Sequence, residues 1–164
     1  MPSVEFPGLP AELLVLPPLF LLACGLLPAR LANRHARLLR VGITTLAAIQ
    51  VALAVFAASL YAASGVAVWR PEFWLLDKWL PASVGIYYDG VAALMLSLVS
   101  LVGCIVCKYS IRYLDGEERQ GAYFGGIGIT VGAVSLMVLS SNLAMLIAAW
   151  VLTSLGLHRL LVHY

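Results

Sequence analysis

Of the 164 residues, 62% are apolar and 11% are charged, with a net charge of +2 and a mean hydropathy of +0.97. A soluble domain carries about a quarter charged residues to keep its surface hydrated, so this composition excludes an ordinary water-soluble fold. So small a net charge gives no basis for binding nucleic acid, and three cysteines inside apolar stretches do not make a disulfide framework.

A helix that crosses a bilayer needs roughly 20 apolar residues. The first such segment, about 13–29, contains Pro17 and Pro18 and follows the acidic residues Glu5 and Glu12. It lacks the positive start and small-residue cleavage site of a signal peptide, and reads as a retained, proline-kinked helix. The second, about 41–63, is Ala-rich and uncharged. Residues 64–88 hold Trp69, Trp74, Trp79, Tyr87 and Tyr88 with four charges, a composition that suits an interfacial loop or short surface helix. A third span covers about 90–107, and the polar stretch 108–120 follows. The fourth and fifth, about 122–139 and 143–161, are joined by a tight turn at Ser140-Ser141-Asn142. The expectation is an all-α integral membrane bundle of about five transmembrane helices in one domain, with no internal repeat.

Lys and Arg counts orient such a bundle, because cytoplasmic loops are enriched in both. Arg30, Arg34, Arg37, Arg40, Lys108, Arg112, Arg119 and Arg159 fall at one end of the five spans, and only Arg70 and Lys78 at the other. This distribution predicts an outside amino terminus and an inside carboxyl terminus.

Ionisable groups inside a membrane are costly and are retained for function. The five spans contain almost none. Asp89 stands at the outer mouth of the third span, where a carboxylate caps the helix and complements its dipole; a functional acid at that mouth is the alternative. His158 and Arg159 lie near the inner end of the fifth span among Leu155, Leu157, Leu160 and Leu161. A histidine there is a candidate proton relay, since imidazole titrates near neutrality. The other reading has Arg159 snorkelling to the interface and His158 packing on a neighbouring helix. Cys104 and Cys107 share a helix face but lack the further ligands a metal would need. Gly125, Gly126, Gly128 and Gly132 read as close helix contacts. No Ser/His/Asp arrangement, paired intramembrane carboxylates or zinc spacing is present, so no catalytic site, cofactor or metal is expected in this chain.

From Tyr88 onward the sequence resembles the amino-terminal part of subunit L of respiratory complex I and the related cation/proton antiporter subunits. The matching residues are Asp89-Gly90-Val91-Ala92-Ala93-Leu94-Met95, Tyr109-Ser110-Ile111-Arg112-Tyr113-Leu114, Gly116-Glu117-Glu118, Tyr123-Phe124, Ser141-Asn142-Leu143 and Trp150. In the respiratory subunit, the tryptophan of the fifth span is followed by a glutamate central to proton pumping. Here Trp150 is followed by Val151, and the segment continues Thr153-Ser154-Leu155-Gly156-Leu157-His158-Arg159.

That departure is similar to the membrane subunit of DAB-type inorganic-carbon transporters. This resemblance implies a large zinc-containing partner resembling a β-carbonic anhydrase, and cation or proton flux coupled to carbon dioxide hydration at the cell inner membrane. The alternative it leaves open is a fragment of a proton-translocating NADH–quinone oxidoreductase subunit, whose partners would be other complex I membrane subunits. A small scaffold without transport is the third reading, opposed by the polar pattern from Asp89 to Arg159. Members of the superfamily have about a dozen or more spans, so the chain is expected to be a fragment or one piece of a split gene. Five helices with almost no buried ionisable group do not make a continuous ion path.

Overall fold

The structure is a computed structural model, which describes residues 12–65, 68–74, 83–114 and 119–162. Six helices and a two-stranded sheet follow in the order α1 (Glu12–Gly25), α2 (Ala29–Arg34), α3 (Ala36–Ser64), β1 (Val68–Trp74), β2 (Ser83–Tyr88), α4 (Gly90–Tyr113), α5 (Gln120–Val138) and α6 (Leu143–Leu161). Four of them, α3 to α6, are long and apolar enough to cross a membrane, and α1 is a shorter apolar helix. The chain is a multi-pass, helical membrane protein.

The fifth expected span coincides with α6, but the others shift at their ends. Hydropathy marks the part of a helix dissolved in lipid, whereas backbone hydrogen bonding continues through charged end turns. So α3 begins at Ala36 rather than near residue 41, taking in Arg37 and Arg40, and α4 runs on to Tyr113 with Lys108 and Arg112. The first span is cut short instead: α1 stops at Gly25, and Pro28 opens the separate short helix α2. Both prolines lie inside α1, and neither has an N–H to give the preceding turn, which leaves carbonyls free on a short helix.

The described part of the interfacial segment forms strands instead of the expected loop or surface helix. β1 and β2 form an antiparallel hairpin that pairs Val68 with Tyr88, Trp69 with Tyr87 and Trp74 with Ser83, with an irregularity between Arg70 and Phe73. β-branched and aromatic residues favour the strand, and Pro71, which cannot donate to the ladder, falls at the irregularity. The Trp79 part of the segment lies outside the described residues. On its other edge β2 meets the α5–α6 turn: Tyr87 N donates to Leu139 O at 3.0 Å, and Ser141 N to Gly85 O at 3.2 Å.

Helix α5 is the hub. In its most apolar stretch 61% of residues are buried, against 11% in α6. Its glycines explain this. Gly121, Gly125, Gly128 and Gly132 recur at helical spacing and face α1 and α2. A Cβ on Gly132 would stand 2.7 Å from Pro18 O, and one on Gly128 2.9 Å from Leu21 O, while one on Gly121 would collide with the Ala32 carbonyl. Without side chains these backbones approach closely, which is how helices associate where lipid removes the hydrophobic drive. Gly126 performs the same service toward Leu160 of α6.

The apolar core divides along the bundle. Leu14, Ala54, Ala57, Tyr88, Ala93, Leu96 and Leu139 pack at the hairpin end; Leu21, Ile43, Cys107, Phe124 and Ile127 pack toward the other. The outward surface is lined by exposed Leu94, Leu98, Ile105, Leu143, Trp150 and Val151, an apolar face compatible with lipid or with neighbouring helices.

Candidate functional site

The polar groups of the bundle gather at three levels. At the hairpin end, β2 delivers Asp89 to the start of α4, where its Oδ1 accepts from Ala92 N at 2.8 Å. That is a side-chain N-cap in extended backbone geometry. Next to it, burial pushes the Tyr88 phenol up to about 12 from 10.0, so it stays a neutral hydroxyl at physiological pH. Replacing Asp89 with alanine is expected to lower stability by about 1 kcal/mol, read as an earlier thermal transition in detergent. Asp89→Asn keeps the acceptor and should retain most of the stability. Equal damage from Asn and Ala would show that the charge itself is needed.

At mid-bundle lies a cluster that sequence reasoning passed over. Gln50 of α3 is 1% exposed. Its Nε2 donates to Ser135 Oγ on α5 at 2.6 Å and to Ser100 Oγ on α4 at 3.2 Å. Each serine in turn donates to the carbonyl four residues back, Leu96 and Val131. Both amide hydrogens are thereby used, and Gln50 Oε1 has no hydrogen-bond partner among the described residues. The search for ionisable groups missed it because a carboxamide carries no charge. The available signal was a lone glutamine inside an otherwise uncharged apolar span, a polar group expensive to leave unsatisfied in hydrocarbon.

At the opposite end the antiparallel packing brings all eight basic residues of the loops and helix ends together. Asn33 Oδ1, near the end of α2, accepts from Ala122 N at 2.9 Å and caps α5 from outside. Arg159, in the last turn of α6, donates from Nη1 to Gly25 O at 2.9 Å and so binds the carbonyl end of α1, where a cation is favoured by the helix dipole. His158 is exposed rather than packed into a helix interface. Both residues line a cavity of about 320 Å³ with Asn33, Arg119 and Ala122. Stacked Tyr109 and Tyr113, 5.8 Å between ring centres, mark the end of α4 at this level, as interfacial aromatics do. Asp89 and the His158–Arg159 pair therefore stand at opposite ends of the bundle.

Cys104 and Cys107 are free thiols, Cys107 buried in the core and Cys104 packed against it. Among the described residues no three His, Cys, Asp or Glu side chains are grouped to hold a metal ion.

Comparison with known proteins gives a consistent picture. The family model for NADH-Ubiquinone oxidoreductase (complex I), chain 5 N-terminus, matches residues 74–124, from the end of β1 into α5. The chain is 32% identical to the probable inorganic carbon transporter subunit DabB2 of Halothiobacillus neapolitanus, over 99% of this chain and 30% of that relative. It is 31% identical to the probable inorganic carbon transporter subunit DabB of Hydrogenovibrio crunogenus, over 53% of this chain and 18% of the relative. To the Na(+)/H(+) antiporter subunit A1 of Staphylococcus aureus it is 34% identical, over 52% of this chain and 10% of the relative. The chain spans less than a third of the length of these relatives. The chain is thus similar to members of one antiporter-like superfamily, matching the complex I chain 5 model over residues 74–124 and an inorganic-carbon transporter subunit along nearly its whole length.

Proposed function

We propose that the chain forms the amino-terminal part of the membrane subunit of an ion-coupled complex that takes up inorganic carbon. The observation that carries this reading is extent: similarity to the DabB2 relative runs through 99% of the chain, whereas the antiporter subunit A1 matches about half of it. Val151 supports it too, standing after Trp150 where the respiratory subunits it resembles have glutamate. In this reading the basic end faces the cytoplasm of the cell inner membrane, with the amino terminus outside and the carboxyl terminus inside. The partner is a large zinc-containing protein resembling a carbonic anhydrase, which supplies the hydration chemistry. The bundle contributes a framework for ion movement, and His158, exposed in the cavity at the basic end, exchanges protons with the cytoplasm.

The second reading, part of a proton-translocating NADH–quinone oxidoreductase, rests on the family match over residues 74–124. The two separate in one experiment. Cells lacking the gene should lose most uptake of labelled bicarbonate at low external carbon and keep NADH-dependent quinone reduction. The reverse pattern would assign the chain to the respiratory complex. Restoring the gene with His158→Ala should leave uptake several-fold below that of the restored wild type at equal membrane abundance. Equal uptake would remove His158 from the proton path.

A further inference from the structure

The cavity at the basic end is built for a group that the described residues do not supply. Arg159 spends one N–H on Gly25 O, and the rest of its fork has no partner among the described residues. The Arg119 guanidinium has no hydrogen-bond or ion-pair partner among the described residues, and it lines the same cavity as Arg159 and His158. The start of α5 forms another wall at Ala122, adding the positive end of a helix dipole. No described carboxylate lines it. By sequence, this end carries eight basic residues and the connection before Arg119 carries three acids, an excess of five positive charges. Two guanidinium groups lining one cavity make it favourable to an anion.

The surroundings say what kind of anion. The cavity lies where the apolar spans end, and the same turns of α6 present Leu157, Leu161 and Val162 outward at 47%, 81% and 64% exposure. A ligand with a phosphate at cavity level and hydrocarbon beside these side chains meets both requirements. We propose that Arg119 and Arg159, with His158 beside them, bind the phosphate of an anionic lipid headgroup. The guanidinium forks match phosphate oxygens in geometry as well as charge, and basic pockets between spanning helices take such headgroups. The site would fix α2, α5 and α6 at their shared end through one lipid, and it stands whether or not carbon uptake is the activity.

The test uses the full-length protein in phosphatidylcholine nanodiscs with or without phosphatidylglycerol, reading lipid retention by native mass spectrometry and the thermal transition together. Phosphatidylglycerol should be retained preferentially and raise the transition. Arg119→Gln, which removes no described protein contact, should weaken retention roughly fivefold, and so should Arg159→Lys to a smaller degree. Arg34→Gln, at the same end but outside the cavity, should change retention much less. Equal losses from Arg34→Gln and Arg119→Gln would overturn the proposal in favour of diffuse surface charge. So would a transition raised by inorganic phosphate in phosphatidylcholine discs but not by phosphatidylglycerol, which would identify a soluble oxyanion. Retention that appears only after Asp115, Glu117 and Glu118 are neutralised would also overturn it, because the chain's own carboxylates would then be the occupant.

Discussion

Gly132→Val is expected to be the most damaging single substitution in the bundle. Any Cβ at residue 132 meets Pro18 O at 2.7 Å and Leu22 Cγ at 3.0 Å, and the first of these is backbone that cannot rotate away. Relief requires α1 to move off α5, which loses packing around Leu21, Leu22 and Gly128 at once. Overpacking of this kind costs about 1–3 kcal/mol and sometimes more, and in a membrane no hydrophobic drive restores the contact. The protein should show a markedly lower thermal transition and aggregate on extraction. Gly42→Ala is the matched control, since nothing lies within 4 Å of a Cβ there. It should be neutral or stabilise by up to about 1 kcal/mol through helix propensity. If Gly132→Val behaves like Gly42→Ala, α1 does not dock on α5 through this stripe.

The second large effect is expected at Gln50. Gln50→Leu removes the amide that ties α3 to Ser100 and Ser135, and should destabilise by about 1–2 kcal/mol, the range of an interhelical polar contact in a membrane. Gln50→Glu should do more harm, because a carboxylate in a helix centre costs about 2.5–3.5 kcal/mol and removes both amide donors. Unfolding midpoints in a denaturing detergent titration rank the three proteins. A leucine variant as stable as the wild type would mean that the cluster does not hold the helices together.

How much of this was legible beforehand depends on which property carried the signal. The spans of α3 to α6 are readable because apolar run length is a one-dimensional property. The expected turn at Ser140-Ser141-Asn142 marks the start of α6, and the structure adds that Asn142 caps it, accepting from Met145 N at 2.8 Å. Helix ends in charged turns were not readable from hydropathy, which stops at Arg40 and Lys108 although the backbone does not. The hairpin escapes that reading because Trp69, Trp74, Tyr87 and Tyr88 count there as interfacial aromatics, whereas aromatic residues also favour strands. Of the candidate site, Asp89 and the His158–Arg159 pair were visible as isolated polar residues at span ends. Their separation, the arrival of Asn33 and Arg119 beside Arg159, and the convergence of Gln50, Ser100 and Ser135 are three-dimensional facts. Residues 85 positions apart in the chain, as Gln50 and Ser135 are, share no local pattern to read.

The backbone bonds between β2 and the α5–α6 turn have a mechanical consequence. β2 runs through Asp89 directly into α4, and its free edge is laced to Leu139 and Ser141. The hairpin ends of α4, α5 and α6 are therefore clasped by backbone, while at the far end α6 is held by side-chain contacts such as that of Arg159. A rotation of α6 relative to α4 must pivot about the clasp. A 19-residue helix is a lever of about 28 Å, so each degree of swing moves its far end by about half an ångström. Small rocking motions are thus almost silent at the hairpin and are delivered in full to the cavity that holds His158, Arg119 and Arg159.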